Sequence, residues 1–163
     1  MQSQAINEVK GLLLEELEHI VKTTSHLIRK ISTDHWAYKP HDNMRSLLEL
    51  VHHIVSIPSS DLLILQENDE AVIRKLEADI AADQDKEKLI EWLTSGMLEV
   101  RAYMESLPEE EFLHKKTKPF YLEHGSVQAK WLIEITTHIQ HHRAQLFTYL
   151  KIQGYEVNMF DLY

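Results

Sequence analysis

Four long stretches of this chain repeat their apolar residues every three or four positions, the spacing that gathers them on one face of an α-helix. The first carries Leu13, Leu17, Ile20, Thr24, Leu27 and Ile31, with Leu14, Val21 and Ile28 on the same stripe. The second runs from about Met44 to Ile57. The third carries Leu89, Leu93, Met97, Val100, Met104 and Leu107, capped by Asp83 or Asp85, ended by Pro108, with Gly96 marking a close helix contact. The fourth is capped by Ser126, carries Trp131, Leu132, Ile135, Ile139, Leu146, Tyr149 and Leu150, and stops at Gly154. With only four glycines and four prolines there is little turn chemistry for a many-stranded sheet, so the expected fold is all-α, a four-helix bundle. At 163 residues one core suffices, and one domain over residues 1–163 is expected.

The connections are less regular. Thr33 to Asn43 has no period, and Pro40 pushes its predecessor out of helical geometry, which predicts a loop. After Pro58, the cluster Ser59-Ser60-Asp61 can cap a short helix through Gln66, and a weaker helical piece near Val72 to Ala82 follows, in a connection expected to be mobile. Residues 109–125 show no clear period; Phe120-Tyr121-Leu122 before Gly125 suits a short extended turn.

The absence of cysteine excludes disulfides, thiolate ligands and a protein-borne thiol nucleophile, leaving imidazole and carboxylate as candidate metal ligands. A net charge of −9 gives no general attraction to phosphate backbones or anionic lipids, so neither nucleic acid nor membrane is an expected partner. No leader-like start and no apolar run approaching the roughly 20 residues of a membrane span are evident, which predicts a cytoplasmic protein.

The 11 histidines narrow the chemistry. Random placement would give about 0.7 pairs at i, i+4, so the spacing of His138 and His142 is weak evidence by itself. Their position adds weight: both fall at the edge of the apolar arc of the fourth helix, one turn apart, where two imidazoles can grip one ion. Core-edge histidines satisfied by carbonyls or water are the competing reading. A third ligand would come from His52 or His53 on the second helix, and periodicity does not choose between them.

With those residues placed, the sequence resembles the DinB/YfiT-like family of small metalloenzymes. The resemblance rests on the Trp36 to Pro40 loop followed by Met44-Arg45-Ser46, on Leu48-Glu49-Leu50-Val51-His52-His53-Ile54, and on His138-Ile139-Gln140-His141-His142-Arg143-Ala144-Gln145. It implies an up-down-up-down bundle with a three-histidine site, and it selects His53 over His52. Ala144 stands where glycine is usual, a change that at most tightens a helix contact, and the tail after Gly154 lacks the usual proline.

The implied ligand set is therefore His53, His138 and His142, holding a divalent ion, zinc first and nickel second. Three protein ligands leave an open position, the arrangement of a catalytic rather than a structural site. The characterised branches of the family are bacillithiol S-transferases and a mycothiol-dependent isomerase, which implies a transferase or hydrolase with a small-molecule substrate and a thiol cosubstrate such as bacillithiol. The alternative is a non-catalytic metal-binding or dimeric bundle; exposed aromatics at Tyr155, Phe160 and Tyr163 would suit a homodimer. Glu49 and Glu134, each one turn before a candidate ligand, are expected to face solvent, with orientation of an imidazole as the competing role. Arg143 falls within an apolar arc and is expected to make a structural ion pair.

Overall fold

The computed structural model describes residues 2–163. Six α-helices are present among them: α1 (Gln2–Lys30), α2 (Leu47–Leu65), α3 (Glu70–Ala81), α4 (Lys86–Ser106), α5 (Glu109–His114) and α6 (Gln128–Ile152). A two-stranded antiparallel ribbon, β1 (Lys116–Thr117) with β2 (Ser126–Val127), joins α5 to α6, with Lys116 opposite Val127. The four long helices α1, α2, α4 and α6 form the bundle around one cluster of buried apolar side chains, from Leu17 and Ile20 to Leu146 and Leu150.

Directions follow from contacts between the ends. Lys10 of α1 reaches the Met104 and Leu107 carbonyls at the end of α4, whereas Arg29 meets Glu87 at its start, so α1 and α4 are antiparallel. Tyr149 reaches the Arg45 carbonyl and His138 meets Asp61, so α2 and α6 are antiparallel too. His52 lies against the Asp83 carbonyl and Pro58 against Gly96, so α2 and α4 run parallel. In chain order the four long helices therefore run up, down, down, up rather than up, down, up, down, with α3 supplying the return pass between the parallel α2 and α4. That segment, expected as a mobile connection, is a helix capped by Asp69 and held to α2 by buried Ile73 and Ile80.

Pro58 does not end the second helix. It is absorbed within α2, which continues to Leu65, burying Leu62 and Leu65. A proline inside a helix forfeits one backbone hydrogen bond and costs about 3 kcal/mol, which the burial on both sides and the contact with α4 offset. Gly96 makes that contact possible: a Cβ there would stand 2.5 Å from Ser59 Oγ and 3.0 Å from Pro58 Cβ. The resulting 19-residue helix has the length and mean apolarity of a membrane span, but Glu49, His52, His53 and Asp61 interrupt it, so it is not an uninterrupted apolar run. Most of that apolar window, 61%, is buried inside the bundle.

The caps are a mixture of expected and unexpected. Asp85 caps α4, and Ser46 with Glu49 forms a reciprocal capping box on α2. Ser126 lies in β2 rather than capping α6, whose N-cap is Val127. Gly154 at φ 83° ends α6, with Tyr155 N–H bonded to the Leu150 carbonyl and Gly154 N–H to that of Lys151. Glu67 takes the same left-handed conformation after α2, and its carboxylate accepts from Lys118 N–H at 2.9 Å, tying the β1–β2 connection to the end of α2.

The C-terminal segment is latched onto α1. Buried Asp161 meets His26 and Lys30, and the Leu162 carbonyl lies against His19 and Arg143. Tyr155 is half-buried rather than exposed, its hydroxyl accepting from Ser32 N–H and lying 2.6 Å from His35 Nδ1. Met159, Phe160 and Tyr163 are exposed.

Candidate metal centre

The antiparallel course of α2 and α6 brings His53 opposite His138 and His142. One imidazole nitrogen from each of the three lies within 4.8 Å of the others. The closest pair is His53 Nε2 and His142 Nε2, at 3.0 Å. Four-coordinate zinc with Zn–N distances of about 2.0–2.1 Å separates its ligand nitrogens by roughly 3.4 Å, so this pair is already near that spacing and the widest lies within about 1.4 Å of it. His142 is buried; His53 and His138 are half-buried at the groove between the helices.

Two of the rings are oriented by partners on their other nitrogen. His138 Nδ1 lies 3.0 Å from Asp61 Oδ2, and His142 Nδ1 lies 2.7 Å from Gln145 Oε1. Each Nδ1–H donates to its oxygen, which leaves the opposite nitrogen of each ring with a free lone pair for the centre. Gln145 is itself positioned through its amide nitrogen, 3.4 Å from His141 Nε2. With His142 protonated at Nδ1, its Nε2 accepts, so His53 Nε2–H is the donor of the 3.0 Å contact. A proton thus bridges two ligand nitrogens at the place a cation would occupy, and the donor set fits a divalent ion.

The electrostatics favour neutral imidazoles. Burial, followed by the neighbouring His142, Arg45 and His138, pushes the His53 pKa down to about 3. Burial also lowers that of His142, against the opposing effect of its bond to Gln145. Neutral rings are the form that ligates metal.

The remaining candidates sort cleanly. His52 points to the turn between α3 and α4, its Nε2–H donating to the Asp83 carbonyl at 2.7 Å. Glu49 is the helix cap, accepting from Ser46 N–H, and Glu134 pairs with Lys130 on the surface; neither orients a ligand. Arg143 makes no ion pair among the described residues: its guanidinium donates to Thr23 Oγ1 at 2.6 Å and to the Leu162 carbonyl at 3.2 Å, so the expected carboxylate partner is replaced by neutral oxygens. Burial lowers its pKa. Ala144 is exposed and tightens no helix contact. Asp61 is the residue that sequence reasoning missed as a partner of the site, having been read as a cap of a separate short helix; two helical turns from His53 on an unbroken α2 was the signal available.

Beside His138 and Asp61 opens a cleft of about 470 Å³, walled by Trp131, Tyr121, Leu122, Pro119 and Glu134. The β1–β2 connection forms one side of it, held by Glu67 just after α2 and by buried Gln128, whose amide donates to Thr117 Oγ1 and accepts from Tyr103 O–H. Residues that carry no readable period in the sequence therefore define the space next to the three histidines.

A family model described as the DinB superfamily matches residues 16–146, which include all three histidines, Asp61 and Gln145. Among solved structures, a protein assigned to the DinB family from Exiguobacterium sibiricum matches with a TM-score of 0.73 at 24% identity, over 91% of this chain and 94% of that one. A DinB-like protein from Bacillus subtilis matches with a TM-score of 0.66 at 23% identity, over 90% of this chain and 94% of that one. No curated protein matches the chain.

Proposed function

This chain belongs to the DinB superfamily, and from that premise we propose that it is a metal-dependent enzyme of thiol S-transferase or hydrolase type, with His53, His138 and His142 as ligands of one divalent ion. Zinc suits three neutral imidazoles and is the first choice by availability, nickel the second. The observation that carries the reading is the convergence of three imidazole nitrogens within 4.8 Å, two of them on rings whose far nitrogen is engaged by Asp61 or Gln145. Histidines that merely fill a core edge need no such concerted orientation.

When bound, the ion supplies Lewis acidity that removes a proton from a coordinated water or thiol near neutral pH. The chain's own residues do the rest. Asp61 and Gln145 hold the tautomers and orientations of His138 and His142. The cleft beside His138 offers Trp131, Tyr121 and Leu122 as an apolar wall for an organic substrate.

Metal analysis of untagged protein tests this reading, because a purification tag brings histidines of its own. About one ion per chain in the wild type, lost in His53→Ala, His138→Ala and His142→Ala, together with thiol-dependent turnover that disappears in His142→Ala, is the expected result. Wild-type protein that neither carries nor takes up an ion, or that turns over fully without one, sinks it.

A further inference from the structure

We propose that Arg45 receives the carboxylate of an anionic thiol cosubstrate whose sulfur reaches the three-histidine centre; the inference rests on the metal-dependent reading above. Of the five arginines, Arg29 pairs with Glu87, Arg74 with Glu70, and Arg101 with Glu18 and Glu105, while Arg143 is buried on Thr23 and Leu162. Arg45 is the one whose guanidinium has no carboxylate or hydrogen-bond partner among the described residues, in a chain with a net charge of −9. An exposed arginine is unremarkable alone. Its place gives it meaning.

Arg45 lines a second cleft, of about 320 Å³, together with His53 and Ser56, and it is the only lysine or arginine on that wall. Its backbone is fixed at both sides: its carbonyl accepts from Tyr149 O–H at 3.1 Å, and Ser46 begins α2 immediately after it. The N-terminus of α2 is not itself the anion receptor, because the Ser46–Glu49 capping box already occupies it and the Glu49 carboxylate is engaged by Ser46 N–H. The available positive group is the side chain.

The guanidinium therefore shares this cleft with His53, the one ligand of the centre that lines it. A divalent ion on the histidines and a guanidinium beside them favour the same kind of guest, one that is negative at both ends. The planar fork of arginine matches a carboxylate, and the ion takes a thiolate. Two carboxylates also line this cleft: Glu49, which is engaged by Ser46 N–H, and Glu77 of α3, which opposes an anion there.

The experiment uses the full chain loaded with cobalt(II), whose thiolate absorption band reports coordination without requiring turnover. The probes are 3-mercaptopropionate and its uncharged counterpart 3-mercapto-1-propanol. Wild-type protein is expected to bind the carboxylate thiol about fivefold more tightly than the neutral one. Arg45→Gln should bring that ratio close to one while leaving the neutral thiol within twofold of wild type, and Glu77→Gln should raise it. A ratio unchanged in Arg45→Gln overturns the assignment while the metal-dependent reading stands. If neither thiol produces a thiolate band in the wild type, the metal–thiol reading fails and takes this inference with it.

Discussion

His138 Nδ1 stands 3.0 Å from Asp61 Oδ2, so a carboxylate on α2 holds the orientation of an imidazole on α6 and frees its other nitrogen for the three-histidine cluster. Asp61 is mostly buried and His138 about a third exposed, so the contact is shielded enough to matter. Partners of this kind typically change metal affinity by 10–100-fold. Asp61→Ala should weaken binding by about that factor with the stoichiometry unchanged, and Asp61→Asn, which keeps an acceptor but loses the charge, should fall between. Competition against a chromophoric chelator measures both; wild-type affinity in Asp61→Ala would reduce the contact to an incidental surface bond.

Gly96 should resist substitution despite lying inside α4. Alanine there gains up to about 1 kcal/mol of helix propensity. Its Cβ, however, would meet Ser59 Oγ at 2.5 Å, which a rotamer change can relieve, and Ser59 N at 3.1 Å, which it cannot. Helices α2 and α4 must separate slightly, and overpacking of this kind costs about 1–3 kcal/mol. Gly96→Ala is expected to lower the melting temperature, and Ser59→Ala in the same chain to recover part of the loss. A Gly96→Ala protein at least as stable as wild type would show that the two helices are not in tight contact there.

Arg143 offers a test of how a buried cation is held without a carboxylate. Thr23 Oγ1 at 2.6 Å is its shorter partner, and Thr23 is itself buried. Thr23→Val keeps the shape and removes the acceptor, which should destabilise the chain by about 1–3 kcal/mol in denaturant unfolding. Arg143→Met removes the charge as well as its need for partners. In that background Thr23→Val should cost far less, and equal costs in the two backgrounds would deny the coupling.

Much of this arrangement was legible in the sequence where periodicity or cap chemistry acts locally. Stripes such as Leu89 to Leu107 specify their helices, and Asp85 caps α4 as its position predicts. Gly96 was readable as a close contact, though not against which residues. The misreadings share a cause, namely that tertiary packing overrode a local signal. Pro58 is a breaker in isolation, yet the apolar residues on both sides of it keep α2 intact, and that continuity puts Asp61 beside His138. Arg143 lies within an apolar arc, but the oxygens that satisfy it come from α1 and from the distant C-terminal segment. The choice of His53 over His52 rested on resemblance alone, because both sit equally far outside the apolar arc. The fold separates them, sending His52 to Asp83 and His53 to His142.

The pH dependence of stability in the metal-free protein follows from the same geometry. The His53 pKa lies at about 3 in the folded chain, with burial as the first cause and the nearby His142, Arg45 and His138 adding to it. An unfolded histidine titrates near 6.5. Between those values the unfolded state binds more protons than the folded one, so stability rises with pH. The folded state is therefore least penalised above about pH 6.5 and loses stability progressively as pH falls toward 3; His142, lowered in the same direction, adds to the slope. Because His53 is only partly buried, a loss of about 1–2 kcal/mol between pH 6.5 and 4.5 is expected rather than the full linkage value. Asp161 contributes separately at lower pH: its bond to Lys30, then that to Asn158 N–H, holds its pKa at about 2, so its stabilisation is lost below about pH 4. Denaturant unfolding at a series of pH values, on protein stripped with chelator, distinguishes the two. His53→Gln should flatten the curve between pH 6.5 and 4.5 and leave the steeper acid limb in place, whereas Asp161→Asn should alter only the acid limb. A wild-type slope retained in His53→Gln would mean that protonation of the unfolded chain elsewhere, and not the half-buried imidazole facing His142, governs acid sensitivity.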